Sequence, residues 1–181
     1  MKIYIACLKN LVTGGIELLH QLCHELNTYD DVDAYIWFDS EKDAYIPEPY
    51  VQYGNIAMIS GNPSKDTVLI FPEVWASRLN DGKYKDHLKV LYWESVDYYL
   101  RWITKDNYLK FPENTIHIAQ SYYAYTWLQE KTGIKAIMVT DYLNDEYMDA
   151  DLSKPRKRQI LYNPKKGLEV TKRIMADLPD E

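Results

Sequence analysis

The sequence contains few cysteines and no long apolar run, and both absences narrow the class of protein. Only two cysteines, Cys7 and Cys23, occur in 181 residues, and each lies within an apolar pattern. We therefore expect two buried free thiols in a reducing compartment rather than a disulfide framework. No apolar run approaches the ~20 residues that span a bilayer. A strand-like segment begins at Lys2, which argues against a signal peptide and predicts a cytoplasmic protein.

Basic residues are also fewer than acidic ones. The chain has 21 Lys and Arg residues against 27 Asp and Glu residues, so its formal net charge is −6. An acidic protein is a poor general ligand for nucleic acid, and we expect no nucleic-acid partner. The length of 181 residues is sufficient for one well-buried domain but not for two full ones.

The signature motifs of several enzyme classes are missing. His20 and His24 form an i, i+4 pair, but the glutamate that a metalloprotease helix carries between its histidines is absent. The sequence has no Walker lysine loop and no Gly-x-Ser-x-Gly elbow. A dinucleotide-dependent oxidoreductase would need an acidic residue after the second strand, for which Asp39 is the candidate. We therefore expect no metal site and no cofactor.

Glycine is scarce, yet two adjacent glycines follow the first predicted strand. Residues 2–7 are apolar strand formers, Thr13-Gly14-Gly15 forms a turn, and residues 16–26 repeat apolar side chains at helical spacing. Such a unit opens many nucleotide-binding α/β domains, because glycine permits close approach and a helix start can hold an anion. A plain strand-to-helix turn explains the pattern equally well, and Glu17 would repel a phosphate placed on its side.

Apolar segments alternate with helices or loops along most of the chain. Strands are predicted at residues 32–38, 56–59, 67–71, 88–93, 116–119 and 136–139, and a helix capped by Ser121 runs to Gly133. This alternation predicts an α/β fold with a doubly wound, mostly parallel, Rossmann-like sheet that is covered on both faces.

The last part of the chain repeats the opening pattern. The basic run at residues 154–158 follows an acidic stretch and is typical of a linker. A predicted strand at 159–162 and a helix that begins at Leu168 come next, and such a pair cannot bury a core alone. We expect an N-terminal domain over residues 1–153, and over residues 154–181 a linker with the first strand and helix of an incomplete second domain.

Polar residues follow the predicted strands at the edge where parallel sheets bind ligands. Glu73 and Glu94 each come directly after an apolar strand, where a carboxylate can accept a hydrogen bond from a sugar hydroxyl or act as a base. Ser95 and Ser121 stand at the same edge. For either glutamate, an acid that only caps the following helix is the alternative.

Two lysines stand at the start of the last predicted helix. Lys165 and Lys166 precede Gly167, and positive charge at a helix N-terminus is unfavourable unless an anion binds there. A phosphate or diphosphate would supply that anion. Two solvated lysines in a turn are the alternative.

Together these segments resemble the N-terminal half of a GT-B glycosyltransferase of the retaining family 4 type. The similar segments are Thr13-Gly14-Gly15-Ile16-Glu17, Ile118-Ala119-Gln120-Ser121, residues 139–145 and residues 160–167. Their order and spacing carry the resemblance, which covers nearly the whole chain. The second segment looks like the strand, serine and helix of that family, and the last one is similar to the start of its donor-binding domain.

The resemblance implies transfer of a sugar from a nucleotide-sugar donor to a saccharide or lipid-linked acceptor in the synthesis of cell-surface polysaccharide. It implies that Gly14 and Gly15 approach the donor diphosphate from one side, and that Lys165 and Lys166 bind it from the other. The family usually has an arginine early in the second loop, where this chain has Asn163-Pro164.

The resemblance also implies an acceptor site on the N-terminal domain. Glu73, Glu94, Ser95 and Ser121 are the candidate acceptor-binding residues, and Glu94 is the candidate catalytic group. Many members of the family have a histidine where this chain has Glu94. The glutamates that contact the donor sugar in the family would lie beyond the last residue, so we expect the chain alone to bind acceptor without catalysing transfer.

The resemblance also implies a location in the cell. It implies an enzyme of the cytoplasm that can associate peripherally with the inner face of a membrane. The alternative hypothesis is a stand-alone α/β ligand-binding module without catalytic activity.

Overall fold

The computed structural model describes residues 1–8, 11–38, 45–54, 58–59, 61–97, 99, 111–143, 148–149, 151, 153–155 and 167–177. The chain divides into two compact units, Met1–Tyr142 and Leu143–Glu181. The first unit thus ends before the predicted domain boundary at residue 153. The assignment of residues 154–181 to a donor-binding domain stays a prediction.

Seven strands of the first unit form one sheet in which every neighbouring pair is parallel. They are β1 (Lys2–Ala6), β2 (Asp33–Trp37), β3 (Met58–Ile59), β4 (Val68–Pro72), β5 (Lys89–Trp93), β6 (Ile116–Ala119) and β7 (Ala136–Met138). Their order is β3-β2-β1-β4-β5-β6-β7. The predicted α/β class and parallel, Rossmann-like sheet are confirmed.

Helices connect the strands or follow them. They are α1 (Gly14–Leu26), α2 (Glu48–Val51), α3 (Tyr122–Thr132) and α4 (Leu168–Asp177), with 3-10 helices at Glu73–Asn80 and Gly82–Tyr84. The predicted caps of α3 are confirmed: the Ser121 side chain accepts a hydrogen bond from the Ala124 amide, and Gly133 ends the helix at a φ of 75°. No helix in the described ranges is long and apolar enough to cross a membrane.

The sheet has an apolar core on each face, as the sequence predicts. Alternate strand residues point to opposite faces, so Ile3 and Ile5 join the core beneath α1, while Tyr4 and Ala6 join the core on the other face. The first core includes both cysteines, which are buried and unpaired. The second core is completed by side chains of the 3-10 segment and of α3.

One predicted boundary is wrong in detail, one helix was not predicted, and some predictions fall outside the described residues. Pro72 is the last residue of β4 rather than the residue that stops it, because a proline at a strand end need not donate to the ladder. The helix α2, over Glu48–Val51, has no counterpart among the predicted elements. The strand predicted at 159–162 and most of the turn after it lie outside the described ranges.

Candidate functional site

The carboxyl ends of β1, β4 and β5 meet where the order of the strands reverses. The chain runs outward from β1 through β2 to β3, then crosses to the other side of β1 and runs outward again from β4. Open parallel sheets bind ligands in the crevice outside such a switch point. We call this region the switch-point crevice, and it is bordered by the turn into α1, by Glu73 after β4 and by Glu94 after β5.

The turn into α1 is held from two directions. The Thr13 side chain accepts a hydrogen bond from the Ile16 amide at 3.4 Å, which caps the helix. The Tyr50 hydroxyl, from α2, accepts the Thr13 amide at 2.9 Å and donates to the Thr13 carbonyl at 3.0 Å. Glu17 is held by the Tyr53 hydroxyl at 2.8 Å. These hydrogen bonds fix the conformation of the predicted turn.

The two glycines of this turn differ in their surroundings. A Cβ atom added to Gly15 would lie 3.2 Å from Glu94 Cδ and closer still to Oε2, whereas one added to Gly14 would meet nothing within 4 Å. Non-bonded carbon atoms normally stay farther apart than this. With the Glu94 side chain in this position, there is no room for a Cβ atom on residue 15. The role of both glycines in binding a diphosphate stays a prediction.

Glu73 is a buried acid that organises the turn after β5. It is 2% exposed, and its Oε2 accepts the Glu94 amide at 3.1 Å. Burial raises the pKa of its carboxyl to about 7, against the opposing effect of the backbone amides of Glu94, Glu73 and Ser95. A carboxylate that receives several amides fixes the backbone around it. Glu73 thus positions the residue that follows β5.

Glu94 is the member of the pair that has a carboxyl oxygen without a hydrogen-bond partner in the described ranges. Burial raises the pKa of its carboxyl to about 8, and the nearby Glu73 contributes to the rise. Its Oε1 is buried without a hydrogen-bond partner in the described part of the chain. Such an atom costs free energy unless a ligand or water reaches it. Because both pKa values lie near or above neutrality, the pair keeps a proton at neutral pH.

A pair of carboxyl groups that keeps a proton can form two kinds of hydrogen bond. The protonated member can donate a hydrogen bond while the other accepts one, and a group that titrates near neutrality can also take up a proton from a bound hydroxyl. Perturbed acids in a crevice are common at functional sites. The arrangement suits a ligand that presents hydroxyl groups.

The remaining predicted site residues fall into two groups. Ser95 accepts the Asp97 amide at 3.1 Å, and Ser121 accepts the Ala124 amide at 3.2 Å, so both hydroxyls have local roles in the backbone. Their contact with an acceptor stays a prediction. Lys165 and Lys166 lie outside the described residues, so their assignment to a diphosphate stays a prediction too.

Three histidines form hydrogen bonds within the protein, and two of them are the pair considered as metal ligands from the sequence. His20 is buried with Nδ1 2.8 Å from the Ile16 carbonyl, and His24 bonds to the Tyr53 carbonyl. His117 accepts a hydrogen bond from the Trp93 indole at 3.1 Å, and burial lowers its pKa to about 4. Within the described ranges, no group of three side chains could hold a metal ion.

Sequence reasoning missed Tyr50 as part of the site. Its hydroxyl secures the turn into α1, and its ring stacks on His20 with centroids 4.4 Å apart. A signal for the short helix was available, because Pro49 is the kind of residue that occupies the first turn of a helix. No local signal connects that helix with Thr13, since the contact exists only in the folded chain.

No protein-family model matches this sequence, and no curated protein is significantly similar to it. The fold and the switch-point crevice therefore carry the functional argument. The fold is α/β with an all-parallel Rossmann-like sheet, a framework that hosts many unrelated activities.

Proposed function

We propose that this chain is the acceptor-side part of a glycosyltransferase that uses a nucleotide-sugar donor. The observation that carries the proposal is the pair Glu73 and Glu94 at the switch point of the sheet, with the Glu94 carboxyl group against Gly15. A saccharide presents hydroxyl groups that both donate and accept hydrogen bonds, and a carboxyl pair that holds a proton complements both. The crevice thus matches the acceptor rather than the donor.

Glu94 is the residue proposed to meet the acceptor hydroxyl. Its Oε1 is buried and has no hydrogen-bond partner in the described ranges, so a ligand hydroxyl would give this oxygen a partner. Its pKa of about 8 is close to the value at which a general base works best near neutral pH. Glu73 supports this role by holding the Glu94 amide. Ser95 and Ser121, at the ends of neighbouring strands, are proposed to contact other acceptor hydroxyls.

The donor side of the proposal rests on the resemblance to GT-B enzymes. Lys165 and Lys166 are proposed to bind the donor diphosphate. The proposed biological setting is synthesis of cell-surface polysaccharide at the cytoplasmic face of a membrane, with a saccharide or lipid-linked acceptor.

A stand-alone binding module is the second candidate, and one observation favours it. The unit Met1–Tyr142 contains a seven-stranded sheet with an apolar core on each face. A sheet covered in this way can be stable and bind a ligand without a second domain. The two candidates share the crevice and differ in whether a sugar is transferred.

Saccharide binding to the purified chain tests the shared part of both candidates. Saturation-transfer NMR with a panel of neutral oligosaccharides is expected to show binding that Glu94→Ala weakens by about tenfold, the loss expected for one hydrogen bond to a buried carboxyl. Glu130→Ala removes an exposed acid from α3 and serves as the matched control. Equal binding by folded Glu94→Ala, or no binding by wild type, would contradict the proposal.

Donor binding separates the two candidates. Titration with a nucleoside diphosphate is expected to show binding that is lost when Lys165→Ala and Lys166→Ala are combined, while saccharide binding persists. Release of nucleoside diphosphate from a nucleotide sugar, dependent on added saccharide, would establish transfer. Saccharide binding by a chain that binds no nucleoside diphosphate would favour the binding module.

A further inference from the structure

We propose that the tyrosines at the start of α3 bind a second sugar ring of the acceptor by stacking against its apolar face. The residues are Tyr122, Tyr123 and Tyr125, which we call the tyrosine platform. This inference rests on the proposed function and extends it, because it assigns a position for a longer saccharide next to the switch-point crevice. It also names the acceptor class, a neutral oligosaccharide rather than a single sugar.

Two of these aromatic side chains are left largely in contact with water. Tyr122 is 71% exposed and Tyr123 is 65% exposed, although the next residue, Ala124, is buried in the second core. The Tyr122 ring stacks on the Tyr125 ring, with centroids 6.4 Å apart and an angle of 28° between the planes. Tyr125 packs against the second core and so anchors the pair. The stacked rings present a broad aromatic surface, and covering it with a ligand would release water favourably.

The tyrosine platform follows β6, whose neighbour in the sheet is β5. The Gln120 amide donates to the Trp93 carbonyl at 3.0 Å, so the chain leaves β6 beside the point where Glu94 follows β5. Tyr122 comes two residues later, which places its Cα within about 8 Å of that of Gln120. Helical side chains lean towards the N-terminus of their helix, and α3 begins at the carboxyl end of β6. A saccharide held at Glu94 can therefore extend to the platform.

The composition of the platform favours a neutral sugar over a nucleotide. Residues 122–129 include no acidic or basic residue. A nucleobase also stacks on aromatic side chains, but a nucleotide carries phosphates, and the platform offers them no basic side chain. A sugar ring needs an apolar surface for its carbon face and polar groups for its hydroxyls. Tyrosine supplies the first through its ring and the second through its own hydroxyl group.

A length series of saccharides tests the platform. Saturation-transfer NMR gives the affinities of neutral glucose and mannose saccharides, from the single sugar to the tetrasaccharide. Combining Tyr122→Ala with Tyr123→Ala is expected to weaken tetrasaccharide binding by about tenfold and to leave binding of the single sugar unchanged. Combining Tyr122→Phe with Tyr123→Phe keeps both rings and is expected to retain most of the tetrasaccharide affinity.

The matched control is Tyr29→Ala, which removes a tyrosine that is 63% exposed and lies before β2, away from the carboxyl ends of the strands. It is expected to bind the whole series as wild type does. Because Tyr122 and Tyr123 are exposed, their alanine variants leave both cores intact and should fold.

Three results would overturn the inference. The first is a folded double-alanine protein that binds the tetrasaccharide as tightly as wild type. The second is a wild-type affinity that does not increase with saccharide length. The third is a response of the Tyr122 and Tyr123 ring signals to a nucleoside diphosphate but not to the saccharides, which would identify a nucleobase site. Absence of binding by wild type across the series contradicts the proposed function itself, so the two failures are distinguishable.

Discussion

The hydroxyl of Tyr50 forms two hydrogen bonds with one residue, accepting the Thr13 amide at 2.9 Å and donating to the Thr13 carbonyl at 3.0 Å. The ring that carries this hydroxyl is buried and stacks on His20 of α1. The short helix α2 therefore holds both the turn and the helix that border the switch-point crevice. The Tyr50 side chain thus connects α2 with the turn beside the candidate site.

Tyr50→Phe is expected to lower the free energy of unfolding by about 1–2 kcal/mol, because the Thr13 amide and carbonyl lose their shared partner. Chemical denaturation measures the loss, and hydrogen exchange at the Thr13 amide is expected to accelerate. Tyr29→Phe is the control, since Tyr29 is 63% exposed and its replacement should change stability by less than about 0.5 kcal/mol. Equal losses in the two variants would contradict the role assigned to Tyr50.

Gly15→Ala and Gly14→Ala form a matched pair within one helical turn. A Cβ at position 15 would require the Glu94 carboxyl group to move, so we expect Gly15→Ala to be less stable than Gly14→Ala. A Cβ at position 14 meets open space, and Gly14→Ala should be neutral or slightly stabilising. Thermal unfolding of both variants gives the comparison, and a Gly15→Ala protein as stable as Gly14→Ala would show that the contact is unimportant.

The raised pKa of Glu94 predicts a defined pH dependence of stability. Its carboxyl has a pKa of about 8 in the folded chain against an unfolded value of 4.5, so the folded state binds the proton more tightly. The stabilisation is complete below pH 4.5 and is lost as the pH rises towards 8, with a slope of at most about 1.4 kcal/mol per pH unit. Glu94→Gln cannot titrate, so wild type should lose stability relative to this variant between pH 5 and pH 9. Parallel pH profiles would rule out the raised pKa.

His117 predicts a pH dependence of the opposite sign. Burial lowers its pKa to about 4 from 6.5, so the unfolded chain binds the proton more tightly, and stability is lost as the pH falls from 6.5 towards 4. His117→Gln keeps an acceptor for the Trp93 indole but does not titrate. Unfolding followed by tryptophan fluorescence should show a flatter acid profile for the variant. A variant that loses stability with acid as steeply as wild type would contradict the lowered pKa.

Much of the local structure could be predicted because its causes lie close together in the sequence. Ser121 and Gly133 mark the two ends of α3, because a hydroxyl caps a helix start and a glycine accepts the left-handed conformation at its end. Apolar runs mark all seven strands of the sheet in the same way. The 3-10 segment after Pro72 was not predicted, since its short turns carry no long hydrophobic period.

The site was only partly predictable, because its contacts join distant parts of the chain. The sequence placed Glu73 and Glu94 at strand ends, and the structure brings them together since β4 and β5 are neighbours. It suggested that Gly15 leaves room for a ligand, whereas the structure shows the Glu94 carboxyl against it. No local pattern in the sequence predicts the hydrogen bonds between Tyr50 and Thr13.

Local patterns were enough to establish the α/β class, the parallel sheet with two cores and the caps of α3, because these depend on hydrophobic periodicity and short-range hydrogen bonding. The strand order emerged only in the folded chain, and with it the switch point at which β1, β4 and β5 end together. That order depends on which strands pair across long stretches of chain. Burial then set the chemistry of the crevice, since an isolated acid keeps its ordinary pKa until folding removes it from water.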